Sequence, residues 1–193
     1  VWLPDRSPLS VSGMTTSTQP TLATGAWMLD TAHSSVNFTI RHLGISKVRG
    51  RFNRFETEFV VDETGAAAVS ATIHLDSFDT GNADRDAHAR AADLLDVQSR
   101  PTLTFKALEP LRVTEDFQVT GEVTLGGVTA PVTLDVEWGG LQPFPQTGDN
   151  HIGFTATGTL KRTDFGVATA IPSAMISDKV AIELDIQLIE PKA

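Results

Sequence analysis

Between Arg41 and Arg54 the chain reads RHLGISKVRGRFNR, which holds five of its 15 basic residues (Arg41, Lys47, Arg49, Arg51 and Arg54) and no acid. Such a cluster suits anion binding, because a guanidinium offers paired donors to a phosphate or carboxylate. The setting sharpens the signal. Fifteen Lys+Arg against 24 Asp+Glu leave a net charge of −9, so most of the surface repels polyanions and nucleic acid is not an expected partner. Two readings follow. In one, the segment is a solvated hairpin whose charges pair with the acidic helix expected further along the chain. In the other, it is a landing place for an anionic headgroup or for transient contact with a membrane surface, with Arg41 and Arg49 as the foremost contacts.

Other reactive types are sparse. The five histidines, His33, His42, His74, His88 and His151, include no i, i+4 pair, so no local metal-ligand spacing exists. Asp84 and His88 are four apart and could meet on a helix, but an acid–imidazole pair in the first turns more often compensates the helix dipole than performs catalysis. There is no cysteine, which excludes disulfides, thiol nucleophiles and Cys-type zinc sites. No G-x-S-x-G, H-E-x-x-H, Walker loop or G-x-G-x-x-G is present. No catalytic residue, cofactor or metal is therefore assigned, and the chain is read as a non-enzyme.

The elements that must position these residues are strands. Eight runs alternate apolar with polar. The first holds Val36, Phe38 and Ile40, with His42 extending the same parity toward a barrel end. The second holds Phe55, Phe59 and Val61; the third, Val69, Ala71, Ile73 and Leu75; the fourth, Leu103 and Phe105. Phe117, Val119, Val123 and Leu125 form the fifth, and Val128 to Trp138 the sixth, with Leu134 inward. Ile152, Phe154, Ala156 and Leu160 form the seventh, and Val180, Ile182, Leu184, Ile186 and Leu188 the eighth. One-sided alternation marks antiparallel sheet, and eight long strands without edge protection favour closure. The expected fold is all-β, an eight-stranded antiparallel barrel.

Gly126-Gly127 predicts a two-residue turn, and residues 139–150 predict a longer loop. Asn82 to Asp96 is Ala-rich with helical spacing and a capping Asn82, predicting one short helix of about three turns in a crossover loop, its charges Asp84, Arg85, Asp86, Arg90, Asp93 and Asp96 in solvent. Residues 1–26 are rich in Ser, Thr, Pro and Gly and predict a disordered arm before a domain at 27–190. Met14 inside the arm is a candidate start. The arm has no basic region followed by an apolar one, which points to the cytoplasm, or to the periplasm or exterior if a signal has already been removed.

A barrel of eight strands either fills with side chains or keeps room for one ligand. Small inward residues at Ala71, Gly121, Ala156 and Gly158 predict room for a tunnel. The expected wall is Val36, Phe38, Ile40, His42, Phe55, Phe59, Ala71, Ile73, Leu75, Leu103, Phe105, Val119, Val123, Leu134, Phe154, Ala156, Ile182 and Leu184, with Arg41 and Arg49 at a mouth. Two other readings stand beside a carrier: an isomerase or cyclase using the same cavity, which needs a polar group deep inside, and a ligand-free, stress-related interaction module.

An ordered set of residues runs through the chain: Trp27 to Asp30, Ala32-His33-Ser34, Phe38, Arg41-His42, Gly50, Phe52, Asp79-Thr80-Gly81-Asn82, Arg85-Asp86, Leu95-Asp96, Pro101, Phe105, Thr120-Gly121, Leu125, Gly127-Val128-Thr129, Pro131-Val132, Arg162 and Asp164-Phe165-Gly166. In order and spacing it resembles the YceI-like family of polyisoprenoid-binding, lipocalin-like proteins, over residues 27 to 189. The resemblance implies an extended eight-stranded antiparallel, lipocalin-like barrel that holds an amphiphile with a long isoprenoid tail, polyprenyl or quinone in type, for binding, storage or transport. It also implies homodimers in some members. It carries over no catalytic residue, and leaves His33, Arg41, His42, Asp79, Arg85, Asp86 and Arg162 as a polar rim or a structural network.

Overall fold

The structure is a computed structural model and describes residues 20–192. Eleven strands and one helix follow in order: β1 (Gly25–Leu29), β2 (Ser35–His42), β3 (Ser46–Phe52), β4 (Phe55–Val61), β5 (Ala67–His74), β6 (Phe78–Asp79), α1 (Ala83–Arg90), β7 (Thr102–Ala107), β8 (Asp116–Leu125), β9 (Val128–Pro143), β10 (Asn150–Lys161) and β11 (Lys179–Ile189). Hydrogen bonding runs β1-β4-β5-β7-β8-β9-β10-β11, and β11 returns to β1. Eight antiparallel strands therefore close a ring, as expected for long strands without edge protection. β2, β3 and β6 continue the lines of β1, β4 and β5 beyond short breaks. Thus Trp27 lies opposite Phe59, and Val36 opposite Phe52.

The breaks are built by side chains. Where β1 gives way to β2, the Asp30 carboxylate accepts from the Ala32 amide at 3.0 Å and from His33 Nδ1 at 2.9 Å, closing an Asx turn. The Ser34 hydroxyl then stands in for the ladder, accepting from the Gln187 amide at 2.9 Å and donating to its carbonyl at 3.3 Å. Between β5 and β6 the chain makes a single 3-10 turn at Leu75–Ser77. The free edge of β6 is covered by α1: the buried Asp86 carboxylate accepts from the Thr80 amide at 3.1 Å, and Arg90 donates to the carbonyls of Asp76 (2.9 Å) and Phe78. An unpaired strand edge invites association, and here two helix side chains occupy its donors and acceptors.

Several expectations change. β1, β3 and β6 were not among the eight runs, and the closing strand of the ring is β1 rather than the continuation β2. The helix ends at Arg90, about two turns long, because Ala91 turns extended (φ −65°, ψ 165°) and Asp96 takes a left-handed φ of 50°. Asn82 does cap it, accepting from the Arg85 amide at 2.9 Å. Asp86 and Arg90 are not solvated, since they hold the β6 edge. His88 meets Asp93 at 3.4 Å rather than Asp84. Gly126 and Gly127 form the expected tight turn, with φ of 57° and 81° and Leu125 opposite Val128. β9 runs on through Gly139 and Gly140 to Pro143, so the expected loop shortens to 144–149. Of the arm, residues 1–19 lie outside the described residues. Leu22 is buried, and the Trp27 indole donates to the Ala23 carbonyl at 3.0 Å, so residues 20–26 already belong to the domain.

Two carboxylates at these corners titrate low. Asp79 accepts from Asn53, from the Gly81 amide and from Arg51, and these bonds hold its pKa below the usual carboxylate value. For Asp30, burial pushes upward, but the His33 and Ala32 hydrogen bonds outweigh it. A lowered folded pKa contributes stability above the unfolded value of about 3.9 and loses it as pH falls through that value toward the folded one. The urea midpoint should therefore stay level from neutral pH to about 5 and fall below about 4. Asp79→Asn should make the acid limb shallower, and an unchanged limb would show that this carboxylate does not contribute to it.

Candidate functional site

Inward side chains from every line of the ring converge on one cavity of about 760 Å³. Its far end is packed shut. Phe154 lies 5.7 Å from Phe59, 6.3 Å from Phe117 and 5.1 Å from Trp138, ring centroid to centroid, above a core of Trp27, Val61, Ile152 and Leu188. The other end is roofed by the β2–β3 hairpin, by α1 and by the loop after β10, residues 166–178. Between floor and roof the wall is aliphatic and aromatic. The strip Val180 to Leu188 of β11 spans roughly 25 Å along the strand at the usual rise.

Of the residues expected to face a ligand, all but Arg49 lie on this wall. Arg49 shares its outward parity with Lys47 and Arg51, while Val48 and Phe52 face in. Wall residues that alternation missed come from irregular or short segments: Phe78 of β6, Leu94 and Leu95 after α1, and Ile171 and Ile176 of the roof loop. The small residues divide. Ala71 and Ala156 line the cavity, but Gly121 and Gly158 add no room. A Cβ at Gly121 would stand 2.3 Å from the Phe105 ring, and one at Gly158 would stand 2.6 Å from Leu134. Those glycines seat neighbouring side chains, as Gly50 seats the ring of Phe38.

The ionisable groups on the wall are Arg41, His42, Arg85, His88 and Arg162, and no carboxylate is among them. All five sit at the roofed end, and all but Arg162 are exposed. Arg85 is steadied by bonds from Nε to the Thr80 hydroxyl (2.7 Å) and from Nη2 to the Thr80 carbonyl (3.0 Å). Arg51 and Arg54 pair with Asp79 (3.4 Å) and Asp76 (2.8 Å), not with the helix as the solvated-hairpin reading expects. Arg41, Lys47 and Arg49 have no carboxylate within ion-pair distance among the described residues.

Arg162 plays another part. It is only 5% exposed, and its guanidinium donates to five backbone carbonyls: Ser177 (3.3 Å), Val167 (3.0 Å), Ala168, Ile171 (2.7 Å) and Ile176 (3.1 Å). All five donors are used, so Arg162 ties the roof loop together. The carboxylates whose pKa is displaced, Asp30, Asp62, Asp79 and Asp178, all lie off the cavity wall. Among the described residues no group of three or more His, Asp or Glu side chains is placed to hold a metal ion.

With this geometry in hand, the family model for the YceI-like domain matches residues 27–188. The chain belongs to the YceI-like family. Protein YceI of Escherichia coli is 38% identical over 162 residues, covering 83% of each chain, and a UPF0312 protein of Pectobacterium carotovorum matches to the same extent. Among solved structures, a Campylobacter jejuni YceI protein superposes with a TM-score of 0.70 at 29% identity, covering 79% of this chain and 90% of that one. A polyisoprenoid-binding domain from Saccharophagus degradans shares the fold, with a TM-score of 0.62 at 21% identity over 86% of this chain and 99% of that one. In this YceI-like chain the motif residues have separable duties. His33, Asp79 and Asp86 build corners, Arg162 ties the roof at the cavity's edge, and Arg41, His42 and Arg85 reach the cavity.

Proposed function

We propose that the protein binds a long-chain isoprenoid or similar amphiphile, tail inside the barrel and headgroup at the roofed end, and stores or carries it. One observation carries this reading: an apolar cavity whose ionisable wall groups are all cationic or imidazole and all stand at one end. The side chains leave 760 Å³ unfilled. That size falls in the usual range of small-molecule sites. The Saccharophagus degradans domain is described as polyisoprenoid-binding; the same ligand class fits this cavity on its own chemistry. With every ionisable wall group at the roofed end and none deep among the apolar residues, binding rather than catalysis is the reading we adopt.

The cationic end favours an anionic headgroup, and Arg85 takes the place that the sequence assigned to Arg49. Arg41→Ala with Arg85→Ala should weaken a polyprenyl phosphate at least about tenfold, since charge-assisted bonds are the strong ones, while a quinone with the same tail should lose much less. Salt should erode the phosphate's advantage, because exposed charges are screened beyond about 8 Å at physiological ionic strength. Equal losses for both ligands would remove the headgroup assignment. Failure of the wild type to take up either ligand, by native mass spectrometry of lipid-loaded protein, would remove the carrier reading.

A further inference from the structure

The β2–β3 hairpin ends in Leu43-Gly44-Ile45, and its tip faces solvent. Ile45 is 85% exposed and Leu43 is 50% exposed. Met175, on the neighbouring roof loop, is 48% exposed. The hairpin and the loop form one platform. The Leu43 amide donates to the Met175 carbonyl at 2.8 Å, the Ser177 amide donates to the Arg41 carbonyl at 2.9 Å, and His42 bridges to Ile176. Three large apolar side chains thus project from the same end of the barrel at which the cavity has its polar groups.

Two further features argue against an incidental turn. Leu43 holds a left-handed φ of 53°, a conformation that Gly, Asn or Asp takes more easily than a branched apolar residue. A tip that had only to turn has no use for leucine there. The shoulders of the tip also carry Arg41, Lys47 and Arg49, the hairpin cations without a carboxylate partner among the described residues. In a chain of net charge −9, an apolar tip between unpaired cations complements one kind of surface: an anionic bilayer, whose headgroups meet the cations while the tip enters the acyl boundary.

We infer that the hairpin tip and the Met175 loop dock the barrel, roofed end first, onto an anionic membrane, so that an amphiphile passes between leaflet and cavity without crossing water. The role of docking in loading rests on the cavity reading above; the docking itself rests on the tip and its shoulders. Each basic residue near an anionic leaflet raises binding by about fivefold, so the three together give on the order of a hundredfold preference for anionic over neutral vesicles.

Flotation with vesicles of phosphatidylcholine alone, or with phosphatidylglycerol added, tests this on the full chain. The wild type should bind the anionic vesicles at least about tenfold better at physiological salt. Leu43→Ser with Ile45→Ser should remove binding to both. Lys47→Gln with Arg49→Gln should cut the anionic preference to the roughly fivefold that Arg41 alone supplies. None of these four residues lines the cavity, so both variants should still load a polyprenyl lipid from detergent micelles as the wild type does, which also reports that they are folded. Equal wild-type binding to the two vesicles, no binding to either, or variants that bind as the wild type does would overturn the inference. So would tip variants that shift the oligomeric state in sedimentation while leaving flotation intact, since the tip would then join copies of the chain. If the wild type docks but does not load from micelles, docking stands and the cavity reading fails.

Discussion

Replacing Arg162 by leucine should cost about 3–5 kcal/mol, the usual price of breaking a buried charged hydrogen-bond network. The guanidinium satisfies five carbonyls of the roof loop at once, and leucine offers them no donor. Carbonyls left buried without a partner lose their desolvation cost uncompensated. Lysine is not a conservative replacement, because an ammonium has three donors on a point charge and cannot span the fork. Arg162→Lys should therefore recover only part of the loss. Urea titrations should show a lower midpoint at nearly unchanged slope. A leucine variant within about 0.5 kcal/mol of the wild type, the range of an ordinary surface change, would mean that the loop holds without its anchor.

The second large effect is on loading. Ala156→Phe places a ring in mid-barrel, where Ala156 sits between Val136 and Leu184 in neighbouring strands. Overpacking a filled core costs about 1–3 kcal/mol, but here the ring has open volume to enter, so the variant should fold. Uptake of a long isoprenoid should fall by more than tenfold, a difference of about 1.4 kcal/mol or more in binding. Ala71→Phe, from the opposite side of the sheet ring, should act alike. Native loading assays on both variants, with near-ultraviolet spectra as a check of packing, give the answer. A folded Phe variant that loads as the wild type does would show that the ligand lies elsewhere.

The ring and most of the wall were legible because each long strand buries one face, and a pleat of period two writes that directly into residues such as Val180, Ile182 and Leu184. β3 was hidden for a chemical reason. Its inward positions are Val48, Gly50 and Phe52, and the middle one is a glycine whose space is filled by Phe38 from the neighbouring strand, so the run reads as basic rather than amphipathic. β1 and β6 are too short for a period to show. The partners of Arg162 are backbone carbonyls, which leave no mark on side-chain pattern; the family motif pointed to the residue without giving its role. Gly121 and Gly158 misled because a small residue opens space only if no neighbour leans into it.

The seam between β1 and β11 has a consequence for how the protein comes into being. Met28 pairs with Ile189 and Leu29 with Leu188, so the wall is completed by joining the beginning of the domain to its end. Local hairpins such as β8–β9 can form as soon as their residues exist, but this closure must wait for the whole domain and bear the entropy of a very long loop. Until β11 has been made, β10 and β1 lack the strand that joins them, so no closed cavity can exist on the nascent chain, and apolar wall residues left open at that stage favour association.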